Sequence, residues 1–145
     1  PWGGNYVTIM THDEWDNTWD TTNTIHGDDK DGGEFGFSVS LSANGDRVVV
    51  GSPFYDEAKG RGVIYRFDHT TQTWAYVDQA VGSATGEWSG ESVDMSPDGK
   101  YVAVSAVKAK GLNDLVDVGR VSIFELVPDD LARRVKQHIP LGRGR

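Results

Sequence analysis

A unit written twice, 54 residues apart, constrains this chain more than any other feature. Residues 36–53 read GFSVSLSANGDRVVVGSP and residues 90–107 read GESVDMSPDGKYVAVSAV. Seven of the 18 positions are identical: Gly36/Gly90, Ser38/Ser92, Val39/Val93, Ser42/Ser96, Gly45/Gly99, Val48/Val102 and Val50/Val104. Leu41/Met95 and Val49/Ala103 are apolar in both copies. A period of this size marks a repeat architecture, in which each unit buries its apolar surface against the next.

Each copy spells out its own local structure. Val39 and Leu41 alternate with Ser38, Ser40 and Ser42, the period of a strand with one buried face. Ala43-Asn44-Gly45-Asp46 and Pro97-Asp98-Gly99-Lys100 follow, and Asn-Gly and Asp-Gly supply the positive φ that a tight hairpin needs. Val48-Val49-Val50 and Val102-Ala103-Val104 are apolar on both faces, as for a strand packed between neighbouring sheets. The pattern predicts that Val39, Leu41, Val48, Val50, Val93, Met95, Val102 and Val104 are buried. A third strand is expected at Val63–Phe67 and Val121–Leu126, and a fourth near Thr73–Val77, ending at Gly82.

Four antiparallel strands in about 54 residues match one blade of a β-propeller. The flanks fit the same frame. Tyr6–Met10 and Trp19–Gly27 read as third and fourth strands, with Trp19 eight residues before Gly27 as Trp74 stands eight before Gly82. Arg134 likewise stands eight before Gly142, which makes Val135–Leu141 a weak fourth strand. The expected fold is therefore all-β, roughly two and a half four-stranded antiparallel propeller blades. Residues 1–28 form a partial blade, 29–83 a first full blade, 84–142 a second with a degenerate last strand, and 143–145 the end of a basic tail. Blades depend on their neighbours, so further blades are expected as partners, from copies of the chain or from other subunits.

Composition narrows the function classes. Hydrophobic residues at 37% support a packed core, and 18 glycines fall between short apolar runs. No run is long enough to cross a bilayer as a helix, so no membrane insertion is expected. The absence of cysteine removes disulfides, zinc–thiolate sites and cysteine nucleophiles. The start, Pro1-Trp2-Gly3, has neither an initiator Met nor a leader, so the chain reads as a mature product or a piece of something longer. The formal net charge is −8, and residues 131–145 carry five basic side chains and no acid. The first 130 residues then hold 9 basic and 22 acidic groups, an acidic body that argues against a nucleic-acid partner.

Phe35-Gly36, with Val48-Val49-Val50-Gly51-Ser52-Pro53 after it, resembles the FG-GAP repeat typified by the propeller of integrin α chains and found in many surface proteins. Phe35-Gly36 stands for the FG and Gly51-Ser52-Pro53 for the GAP. In the second copy these positions are Ser89-Gly90 and Ser105-Ala106-Val107. The resemblance implies a protein-binding propeller at a cell surface or outside the cell. Calcium-binding members of that family carry an Asp-rich loop between the first two strands; the hairpins here are too short and too poor in oxygen ligands for that.

Candidate sites follow from the loops. Asp28, Asp29, Asp31 and Glu34 form the one acidic loop able to offer calcium several oxygens, and no other cofactor is expected. In a propeller this loop shares an end with residues 52–61 and 106–119. Phe54, Tyr55, Asp56 and Glu57, with Asn113, Asp114, Asp117 and Trp88, make that end the expected contact surface for a protein partner. Trp19 and Trp74 recur at equivalent places and read as packing residues, whereas Trp15 and Trp88 do not recur and are the candidate sugar platforms. Gly86-Glu87-Trp88-Ser89-Gly90 misses the nucleophile-elbow spacing by one residue, and His12, His26, His69 and His138 form no ligand pair. The leading expectation is a binding or scaffolding module without catalysis. A lectin-like module and a hydrolase using carboxylates from several blades are the alternatives.

Overall fold

A computed structural model describes residues 5–32, 34–111 and 118–126, and the backbone of 134–140. It contains three antiparallel sheets. A hairpin pairs β1 (Tyr6–Asp13) with β2 (Thr18–His26). A four-stranded meander follows, in the order β3 (Ser38–Leu41), β4 (Arg47–Ser52), β5 (Arg61–Asp68), β6 (Thr73–Val81). A second meander runs β7 (Ser89–Met95), β8 (Tyr101–Ala106), β9 (Arg120–Glu125), β10 (Arg134–Pro140). The fold is thus all-β, and the two copies of the repeat begin the two meanders at corresponding places.

The middle meander is covered on both faces. Val39 pairs with Val50 and Leu41 with Val48, so these four side chains share one face of the sheet, while Val49, opposite Ser40, points to the other. Val48 and Val50 join Ile25, Phe35 and Val63 in a core against the two-stranded sheet, closed by Val7, Ile9, Tyr65 and Trp74. Val49 joins Ile64 and Ala80 in a second core shared with Val93, Met95, Val102, Val104 and Phe124 of the last sheet. This is why Val48-Val49-Val50 is apolar throughout: alternate residues belong to different cores.

Two of the eight side chains expected to be buried are not. Val39 and Leu41 are each 53% exposed, whereas their repeat equivalents Val93 and Met95 are 8% and 5% exposed. The reason is geometric. Val93 and Met95 face the preceding sheet, and β3 and β4 stand over them: Ser38 Oγ donates to the Gly90 carbonyl, and Ser40 Oγ donates to Asp94 while accepting the Met95 N–H. Val39 and Leu41 also face the preceding sheet, but there the described strands are only β1 and β2, which cover Val48 and Val50 of β4 and Val63 of β5 and leave β3 open.

Candidate functional site

The loops after β2, β4 and β6 gather at one end of the sheets. Backbone bonds cross it, with Gly82 N–H donating to the Gly60 carbonyl and Trp88 N–H to that of Ala58, while Gly27 N–H donates to the Asn5 carbonyl. Asp28 caps a 3-10 turn over Asp29–Asp31, accepting the Lys30 N–H at 2.8 Å, while Asp31 accepts the Asp28 N–H at 2.7 Å. Arg61 closes on this turn. Its Nε and Nη2 reach the two oxygens of the fully buried Asp31 at 2.9 and 2.7 Å, Nη2 also reaches Asp28 at 3.0 Å, and Nη1 reaches Gln79 at 2.9 Å. The Tyr55 ring lies against the guanidinium at 3.9 Å. Burial alone would lower the Arg61 pKa, but the Asp31 hydrogen bonds and the Asp31 and Asp28 charges outweigh it, so the pKa is raised and the charge kept.

The carboxylates read as calcium ligands are therefore divided. Asp28 and Asp31 serve the turn and Arg61, while Asp29 and Glu34 lie exposed. Among the described residues no group of three or more acidic or histidine side chains is placed to hold a metal.

Several of the expected contact residues are engaged within the chain. Phe54 packs on Trp88 at 5.1 Å between ring centres, and Lys108 Nζ sits 3.5 Å from the Trp88 ring centre. The indole thus meets a ring and a cation from its own chain. Trp15, at the tip of the β1–β2 hairpin, is 96% exposed. Asp56 pairs with Lys59 at 2.7 Å, and Asp56, Glu57 and Ala58 all adopt positive φ. Asn113, Asp114 and Asp117 lie outside the described residues. Nearby, the buried Glu87 accepts from Ser83 N–H and Oγ at 2.7 and 2.8 Å and from Arg120 at 2.7 Å. This end is a tightly bonded brace between sheets.

The open cleft is at the opposite, hairpin end. It has a volume of about 760 Å³ and lies between the turns of the two meanders. The β3–β4 turn brings Asn44, Asp46 and Arg47, the β7–β8 turn brings Asp98 and Lys100, and the end of β5 brings Asp68 and His69. His69 Nε2 lies 2.9 Å from Asp46 Oδ1, and the other Asp46 oxygen accepts from Asn44 at 2.9 Å. The carboxylate accepts, so Nε2 carries the imidazole proton and Nδ1 the lone pair. Phe67 abuts the imidazole edge-on at 5.0 Å. Arg47 Nη1 donates to the Gly99 carbonyl at 3.1 Å, tying the two turns together. Hydrogen bonds from Ser96 Oγ and the Lys100 N–H hold the Asp98 carboxyl below the usual range, and the Thr70 and Thr71 N–H groups do the same for Asp68. Both are thereby held in the ionised form.

Sequence reasoning missed this pair. Asp46 and His69 are 23 residues apart and match no motif. The repeat gives no signal for it either: an offset of 54 residues makes Asn44 the equivalent of Asp98 and Asp46 that of Lys100, and His69 lies outside both copies.

No family model and no curated protein matches this sequence. Among solved structures, the chain is similar to a protein of Bacteroides fragilis provisionally named a 6-phosphogluconolactonase, with 18% identity over 95% of this chain and a TM-score of 0.63. It is also similar to a periplasmic gluconolactonase of Pseudomonas aeruginosa, with 17% identity over 91% of the chain and a TM-score of 0.54. The chain spans about a third, 34%, of each of those proteins.

These neighbours correct two expectations. The structural likeness is to lactonase-named proteins and not to FG-GAP repeats of the integrin type. The motif residues have a local explanation. Phe35 plugs the core under Ile25, Gly36 (φ +95°) leaves room for Val7, and Gly51 sits against the Gly90 carbonyl. Close sheet packing alone demands such residues. The reading as a scaffold without catalysis is corrected likewise: the solved proteins of like fold are named as enzymes and not as binding modules.

Proposed function

We propose that this chain is part of a lactonase-type hydrolase of propeller architecture, its two meanders being full blades and β1–β2 a partial one. The observation that carries the reading is the shared fold along 95% of the chain with a protein named as a lactonase. The cleft supports it by supplying the chemistry that ring opening requires. His69, its Nε2 proton held by Asp46, takes a proton from water as the water oxygen bonds to the lactone carbonyl carbon. The tetrahedral oxyanion is stabilised by the cations at the rim, Arg47 and Lys100. Collapse breaks the bond from the carbonyl carbon to the ring oxygen, and the imidazolium returns its proton to the departing alkoxide. A rim that mixes donors (Arg47, Lys100, Asn44) with acceptors (Asp68, Asp98) suits a hydroxyl-rich lactone of the sugar-acid type.

The test is acid release from glucono-δ-lactone and its 6-phosphate, corrected for spontaneous opening. Turnover is expected, with His69→Ala lowering kcat by roughly 100-fold or more. No turnover on either lactone overturns the hydrolase reading. Turnover that His69→Ala leaves intact keeps the hydrolase and removes the cleft as its site.

A further inference from the structure

The repeat provides an internal control for what is missing beside β1. Val93 and Met95 are buried because β3 and β4 lie over them. Val39 and Leu41 occupy the same places one repeat earlier, face the same way and are exposed. The strand that corresponds to β5 in the leading sheet is β1: Gly90 (φ +89°) packs on the start of β5 at Arg61, and its equivalent Gly36 (φ +95°) packs on the start of β1 at Tyr6 and Val7. In the complete sheet β5 has β4 on one side and β6 on the other, whereas β1 pairs only with β2 among the described residues. Its remaining edge is in the position that β4 fills beside β5.

We propose that this edge of β1, together with the strip Phe37, Val39 and Leu41, is a docking site for a β-hairpin of the chain's own repeat type. One strand of the hairpin pairs antiparallel with β1, as β4 pairs with β5. That strand directs an aliphatic side chain at Val39 and Leu41, as Val49 is directed into the core of Val93 and Met95. The strand beyond it presents small hydroxyl side chains, as Ser38 and Ser40 do to β7. A second folded copy does not fit this role. Its own repeat hairpins are already built into their meanders, β4 pairing with β5 and β8 with β9, so it has no free hairpin of this type to insert.

The probe is a peptide of residues 36–53 with cysteines added at its ends and closed by a disulfide, so that the hairpin is preformed. Saturable binding at one peptide per chain is expected, measured by anisotropy of a labelled peptide. Slower amide exchange along Tyr6–Asp13 on peptide addition is expected with it. Leu41→Asp, at an exposed position, should weaken binding at least tenfold while leaving Tm unchanged. A scrambled closed peptide that binds equally well overturns the proposal. So does absence of saturable binding, or binding of undiminished strength by Leu41→Asp.

Discussion

At Arg61, four hydrogen bonds and the face of Tyr55 replace the water that a buried guanidinium gives up. The partner Asp31 is fully buried, so removing it strands a charge. Asp31→Ala should lower stability by about 3–5 kcal/mol in urea denaturation, whereas replacing both partners by apolar residues of similar volume should lower it far less. A loss below 1 kcal/mol in the single variant would show that water replaces Asp31 freely. Glu87 gives a pH signature. Burial would raise its pKa, but the Ser83 hydrogen bonds and Arg120 more than offset that and hold it lower. The unfolded chain therefore takes up this proton more readily than the folded one. The contribution is in place above the ordinary glutamate value, about 4.3, and is lost as pH falls through the lower folded value. Glu87→Gln should accordingly flatten the acid limb of a stability–pH profile below the ordinary glutamate value. An unchanged slope would mean that other carboxylates set that limb.

Among the strands, repeat-equivalent positions allow a direct comparison. Met95→Ala should destabilise by about 2–4 kcal/mol, and Leu41→Ala by well under 1 kcal/mol, because only Met95 leaves a cavity. Equal losses at the two positions in parallel denaturant melts would contradict the exposure of the β3 strip. The turns offer a second contrast. Gly45 (φ +74°) has open space around it, so Gly45→Ala costs about 1 kcal/mol of backbone strain alone. A Cβ at Gly90 would also run into the Arg61 carbonyl, so Gly90→Ala should be the more damaging by thermal melt. The hairpins and the doubly apolar β4 were legible in the sequence because Asn-Gly, Asp-Gly and Val-Val-Val state their requirements locally. The exposure of Val39 and Leu41 was not legible, because alternation tells which face is apolar and not what stands opposite. The pairing of Asp46 with His69 was hidden for a related reason: it depends on how a turn and a strand end meet across the sheet, which no local spacing encodes. The acidic loop misled in the opposite sense, since nothing near Asp28–Glu34 in sequence announces that Arg61, some thirty residues on, claims two of its carboxylates.

For the molecule as a whole, the sheets form a sequence of neighbours in which each apolar face needs the next. Removing residues 1–28 would strip the cover from Val48, Val50, Val63 and Phe35. The shortened chain should bind the dye ANS strongly under conditions where the full chain does not, and should aggregate at micromolar concentration. Equal dye binding by the two would place the cover of that core elsewhere. The position of β4 has a further consequence for how the chain comes apart. Successive valines of this one strand belong to different cores, Val48 and Val50 to one and Val49 to the other. Neither core can open without moving the strand on which the other is built. Melting should therefore register as one event by every probe, the Trp74 fluorescence of the first core and the amide exchange of Val102 and Val104 in the second falling together. The strand acts as a mechanical coupling, so a mutation in either core lowers the temperature at which both fail.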